Sequence, residues 1–339
     1  MSEPRHATGF SAQPHGDEQE VRYRDHTGTL RKARMTVGVE VDEDRELVLP
    51  VREVVVDGLR LWQKRVPAAL GEVAPGRYDV LEAEVRALCR LAATYPVQYP
   101  AGLARLHGYD VDAAEPYVLL EPYRGEPLQR AIDHLDAQDR VAVQEGLLQA
   151  LVLTARAHVV HGAVDVSALR WHGRAVQLVD FHGGALSLQP ADFGTDVSAA
   201  GRVIRAVVLG SQVSDDRRRD PQGLTELLTD VFAADPAARP TSAALLARSH
   251  GRQPTAMAVD PDERWTTAHT AFDQASRRKR QRLGLDGPPP PPSAPRGRPD
   301  PPTLPTPTGG RPAMKLGLLV AAVLVVLLLV LAYAIGVPR

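Results

Sequence analysis

The sequence predicts an α+β protein of two lobes, a small β-rich one followed by a helical one, with a single transmembrane helix towards its C-terminal end. Three observations carry this expectation. Short apolar runs rich in valine fill the first third, apolar residues then recur at helical spacing, and residues 316–337 form an uncharged stretch of 22. Strands first and helices later is the order of α+β units, whereas parallel-sheet folds alternate the two.

Residues 1–20, "MSEPRHATGFSAQPHGDEQE", are polar and aperiodic, and are expected to be disordered. A folded unit is expected over residues 21–250. Within it "MTVGVEV", "ELVLPV" and "REVVVDGLRLWQKRV" read as strands, the last folded on itself at Asp57-Gly58, a pair that tolerates the positive φ of a tight hairpin. Next, "DVLEAEVRALCRLAAT" places Val80, Leu81, Val85, Leu88 and Leu91 on one helical face. A buried strand and glycine turn, "PYVLLEPYRGEPL", leads into a remainder that is mostly helical.

Beyond residue 250 the composition shifts. Residues 251–286 form a basic juxtamembrane segment containing "RRKRQR" (Arg277–Arg282), which reads either as a solvated helix end or as a binder of anionic lipid headgroups. Residues 287–313 are a proline-rich tether that favours polyproline II over a packed core. At about 1.5 Å per residue, the run Leu316–Val337 is long enough for a hydrocarbon core of roughly 30 Å. Arg296, Arg298, Arg311 and Lys315 precede it and only Arg339 follows, so the N-terminal bulk is expected on the cytoplasmic side of a single-pass cell-membrane protein.

A formal net charge of −1, from 40 basic and 41 acidic residues, gives no field that points to nucleic acid. Cys89 is the single cysteine, which excludes an intrachain disulfide and a four-thiolate metal site. His158, His161, His172 and His182 are close in sequence but lack thiols or carboxylates at metal spacing. Only Lys32, Lys64, Lys279 and Lys315 are lysine among an otherwise arginine population, so a lysine inside the folded region is conspicuous.

From Leu59 to about Arg248 the order of segments resembles the protein kinase family, in its bacterial Ser/Thr form. "LRLWQKRV" resembles the strand that carries the phosphate-binding lysine, here Lys64, and "EAEVRAL" the regulatory helix, with Glu84 as the lysine's partner. "YVLLEPYRGEPL" is similar to the hinge, "LLQALVLTARAHVVHGAV" to the helix entering the catalytic loop, and "VQLVDFHGG" to the metal-binding turn, with Asp180 as its aspartate. "TDVSAAGRVIRAVVLG", opened by Asp196, and "LLTDVFAADPAARPTSAALL", holding Arg239, resemble the later helices.

The resemblance is that of a degenerate member. The family's catalytic loop reads His-Arg-Asp-Leu-x-x-x-x-Asn; aligned on His161, this chain has Ala163 in place of the base and Ala168 in place of the metal-binding amide. A methyl group neither accepts a proton nor binds magnesium, and loss of a positioned base removes roughly 10²–10⁴ in rate. Where the family has a glycine-rich loop, the chain has Asp42, Glu43, Asp44 and Glu46, whose carboxylates repel phosphate. Fifteen residues separate Asp180 from Asp196, with no Ala-Pro-Glu, so Arg239 lacks its family partner and Asp192 is the substitute considered.

The expectation is a tail-anchored pseudokinase, not an enzyme, acting in signalling as a scaffold or regulator at the cytoplasmic membrane face. Its partners would be the lipid bilayer and a cytoplasmic or membrane protein, an active kinase among the candidates. No catalytic residue and no metal site is assigned, and no cofactor is expected. Lys64, Glu84 and Asp180 are the candidate vestigial nucleotide site, and the alternative is an atypical ATP- and magnesium-binding or weakly active Ser/Thr kinase that uses these three with Asp165 as a substitute base.

Overall fold

The computed structural model describes residues 18–41, 48–210, 216–260 and 263–285. The chain divides into two units, Met1–Asp286 and Gly287–Arg339, and every described residue belongs to the first. The expected proline-rich tether and membrane span, the acidic turn at Asp42–Glu46 and most of the expected disordered N-terminus lie outside the described residues.

The first unit opens with β1 (Glu18–Arg24), β2 (Leu30–Glu40), β3 (Val51–Val56) and β4 (Leu59–Arg65), all antiparallel neighbours. The β3–β4 hairpin turns at Asp57 and Gly58, both with positive φ (47° and 83°), the geometry that a two-residue primed turn requires. Two helices follow, α1 (Ala68–Val73) and α2 (Gly76–Thr94), then β5 (Leu106–Asp110) and β6 (Tyr117–Leu120).

Strand β6 pairs with β4, β5 pairs with β6, and β5 returns to β1 at Arg24 and Tyr109. The six strands therefore close in the order β1-β2-β3-β4-β6-β5. Tyr23, Ala33, Met35, Val54, Val56, Leu61, Tyr117 and Leu119 form the buried apolar cluster of this barrel. Along β4 the strand alternation sends Leu61 into that cluster, while Trp62 on the other face packs against the larger core shared with the helices.

After the barrel come β7 (Glu126–Pro127), α3 (Leu128–Ala131) and the long helix α4 (Ala137–Arg156), whose capping box pairs Asp136 with Asp139. Then β8 (Val159–Val160), β9 (Leu169–His172), β10 (Ala175–Leu178) and β11 (Ala185–Leu186) form small antiparallel pairings, β10-β9-β7 and β11-β8. Helices α5 (Pro190–Leu209), α6 (Gln222–Leu227), α7 (Ser242–Arg248) and α8 (Glu263–Arg282) complete the unit.

The α+β class holds, but the expected two-lobed fold, a small β-rich lobe followed by a helical one, is corrected. The β region is a closed barrel. An open sheet would have left β2 and β5 as edges with unpaired backbone groups, and β1, which starts within residues expected to be disordered, pairs with both. Among the described residues no helix is long and apolar enough to cross a membrane.

Within the basic segment 251–286, Glu263–Arg282 form α8, which packs along α2 with Ala268, Phe272, Ala275, Ser276 and Lys279 buried. In the fold Lys279 of Arg277–Arg282 is buried, Arg278 and Arg282 meet Asp112 between β5 and β6, and Arg280 meets Asp79 on α2.

Candidate functional site

Three elements far apart in sequence deliver one buried charged cluster. Strand β4 supplies Lys64 on the face that Trp62 shares, α2 supplies Glu84 from its inner face, and the turn after β10 supplies Asp180. Lys64 Nζ donates to Glu84 Oε1 and to Asp180 Oδ1, each at 2.6 Å. Glu84 is fully buried, and Lys64 and Asp180 are each 5% exposed. Burial opposes the ammonium, yet Asp180 and Glu84 outweigh it and hold Lys64 well above its ordinary pKa.

Asp180 reaches the lysine because its backbone is left-handed (φ 63°, ψ 60°), a conformation Asp tolerates better than most side chains. Tyr123, in the turn after β6, places its hydroxyl 3.5 Å from the same carboxylate oxygen. Its ring lies 4.6 Å from that of Trp62, and the Arg170 guanidinium sits over both rings, at 5.2 and 5.7 Å. The Tyr123 ring thus lies beside Lys64, its centroid 5.8 Å from Nζ. Glu84 Oε2 is buried and has no hydrogen-bond partner among the described residues.

The chain matches no protein-family model and no curated protein.

The loop at 161–168 is held from two sides. His161 is fully buried against Phe181, with Nε2 donating to the Val179 carbonyl at 2.9 Å and Nδ1 accepting the Ala163 N–H at 3.3 Å. These partners fix a neutral ring, and burial lowers its pKa to about 4. From α5, the Asp196 carboxylate accepts the backbone N–H groups of His161 and Gly162 at 2.7 and 2.9 Å. Burial raises Asp196 to about 6, against the two N–H groups that favour its charged form.

Ala168 is buried, and its N–H is taken by the Asp165 carboxylate at 2.9 Å. Asp165 also accepts the Ser167 hydroxyl at 2.6 Å, so the considered substitute base serves as the local turn's cap and faces solvent. Ala163 packs its methyl group beside Gly183. Arg239 does not meet Asp192: it donates to the carbonyls of Ala233 and Gly194, both at 2.9 Å, and Asp192 takes the Ser187 hydroxyl instead.

Among the described residues no group of three or more His, Cys, Asp or Glu side chains is arranged to hold a metal ion. A cavity of about 510 Å³ is lined by none of the three cluster residues but by Gln98, Gly102, Glu145, Gln149, Arg174 and Pro254 among others. Sequence reading places Lys64, Glu84 and Asp180 as candidates, and the fold brings all three within one contact shell. It assigns no role to Tyr123, although the quoted hinge-like segment contains it, or to Arg170, and it misses Lys279, although the rarity of lysine in this chain is a signal that could have found it.

Proposed function

We propose that the chain is a non-catalytic regulator, a degenerate relative of the protein kinases that acts by presenting surfaces and not by phosphoryl transfer. The observation that carries this reading is the state of Lys64: buried, paired with two carboxylates, and next to the Tyr123 ring, on which Trp62 and Arg170 pack. A phosphate at Lys64 would have to compete with Glu84 and Asp180, which already take two of the three ammonium N–H groups. The alanines at 163 and 168 add that neither a proton acceptor nor a metal-binding amide stands at those points of the loop.

In this reading the apolar run Leu316–Val337 and the proline-rich segment before it hold the folded unit at the cytoplasmic face of the cell membrane, where tethering raises its effective concentration towards a membrane-associated protein. The test is thermal unfolding of the full chain in detergent with and without magnesium and millimolar ATP. A ligand at about 100 times its dissociation constant adds about 2.7 kcal/mol. The expected result is no magnesium- and nucleotide-dependent rise in Tm; a rise of several degrees that Lys64→Met abolishes would replace this reading with that of a nucleotide-binding protein.

A further inference from the structure

Helix α8 lies antiparallel along α2, and the contact has a regular spacing. Trp265, Phe272 and Lys279, seven residues apart on α8, meet Arg90, Arg86 and Glu82, four residues apart on α2. The Arg90 and Arg86 guanidiniums sit over the two aromatic rings at 5.2 and 4.9 Å. At the third level Lys279 is fully buried, pairs with Glu82 and lies over the Tyr78 ring at 4.9 Å, while the Ser276 hydroxyl donates to the other Glu82 oxygen at 2.7 Å.

Outside this buried line α8 is tied by ion pairs at its rim. Arg278 and Arg282 meet Asp112, between β5 and β6, at 2.7 and 2.8 Å, and Arg280 meets Asp79 at 3.2 Å. Near the start of the helix, Ala268 and Ala271 close on Gly28 in the β1–β2 turn so tightly that a Cβ there would meet Ala271 Cβ at 2.9 Å. The helix therefore bridges two barrel turns and the outer face of α2, whose inner face presents Glu84 to Lys64.

We propose that α8 is a releasable strap: docked, it fixes α2 against the barrel and keeps Glu84 on Lys64, and undocking it loosens that contact. The rim ties are partly exposed pairs that salt or a competing anion screens, so the strap's hold is weaker at the edge than at Lys279. Because α8 is the last described element before the proline-rich segment, a pull or a binding event on that segment acts on α8 first and reaches the Lys64 cluster through α2.

The test uses the full chain and the variant Lys279→Met, with two readouts by mass spectrometry: backbone hydrogen exchange across residues 76–94, and acylation of the Lys64 amine. The expected result is exchange in α2 about tenfold faster and Lys64 newly reactive, with α4 and α5 still protected. Loosening confined to residues 263–282, with α2 and Lys64 unchanged, overturns the proposal. If Lys279→Met exposes α4 and α5 as well, the double variant Arg278→Gln/Arg282→Gln, which cuts only rim ties, is read in the same way: α2 and Lys64 loosened supports the strap, and both unchanged overturns it.

Discussion

Glu82 and Glu84 stand two residues apart on α2 and each receives a buried lysine, Lys279 from α8 and Lys64 from β4. At about 100° per residue, positions two apart point to nearly opposite sides of a helix. The helix is thus pinned between a strand from the first quarter of the chain and the last described helix. Two of the chain's four lysines are spent on these pins.

Removing the inner pin should be costly. Lys64→Met leaves Glu84 and Asp180 buried without their cation, and breaking a buried ion pair from one side costs roughly 3–5 kcal/mol. Urea unfolding monitored by circular dichroism should show the loss, and the double variant Lys64→Met/Glu84→Gln should recover part of it. Equal stability of the parent and Lys64→Met would mean that the cluster contributes nothing net.

The loop clamp gives opposite pH dependences from two neighbours. His161 is neutral when folded down to about pH 4, whereas unfolded it protonates near pH 6.5, so its contribution is complete above pH 6.5 and is lost as the pH falls towards 4. Asp196 runs the other way: its folded pKa is raised to about 6, so stability is gained as the pH falls through 6 towards 4. Each contribution is about 3 kcal/mol at its limit. Asp196→Asn should therefore steepen the loss of stability between pH 6.5 and 4, and His161→Gln should flatten or reverse it, as read from Tm against pH. Parallel curves for the two variants would contradict this assignment.

Gly162 is required by its backbone. Its φ is 72°, and an added Cβ would meet the Gly183 carbonyl oxygen at 2.2 Å, a rigid backbone neighbour. Gly162→Ala should lower stability by about 2–4 kcal/mol and displace the His161 N–H from Asp196. Denaturant unfolding checks the first effect. A variant within about 0.5 kcal/mol of the parent would show that the loop shifts freely.

Cys89 reports on α2. It is buried on that helix, and burial pushes its thiol well above the ordinary range, so little thiolate forms. Ellman's reagent should label the native chain no faster than the chain unfolds, with labelling rates that follow denaturant concentration along the unfolding limb. Rapid labelling in buffer alone would mean that α2 opens locally.

Lys64, Glu84 and Asp180 were singled out through the resemblance of their segments to kinase elements, and local patterns supplied the elements that carry them: an alternating strand for Lys64, a helix with regularly spaced apolar residues for Glu84, and a buried apolar run before Asp180. The Asp57-Gly58 hairpin was legible for the same local reason. Barrel closure was not: in β1 only Val21 and Tyr23 are apolar, and its two partners are set by pairing across the whole β region. The α8 contact was not either. Glu82 and Lys279 are separated by 197 positions, and a lysine among four arginines reads as a solvated face until the acid opposite it is known. Yet Trp265, Ala268, Phe272 and Ala275 recur at helical spacing, a stripe that composition alone conceals.

The antiparallel seam between α8 and α2 also decides where this chain tolerates being cut. A shortened protein ending near residue 250 looks reasonable from sequence, but it would uncover Tyr78, Tyr109 and the Glu82 carboxylate, all now shielded by or touching α8. A newly wet apolar stripe with an orphaned acid at one end favours self-association. Soluble expression should therefore require the chain to continue through residue 285, even though nothing in the cluster around Lys64 comes from beyond residue 180.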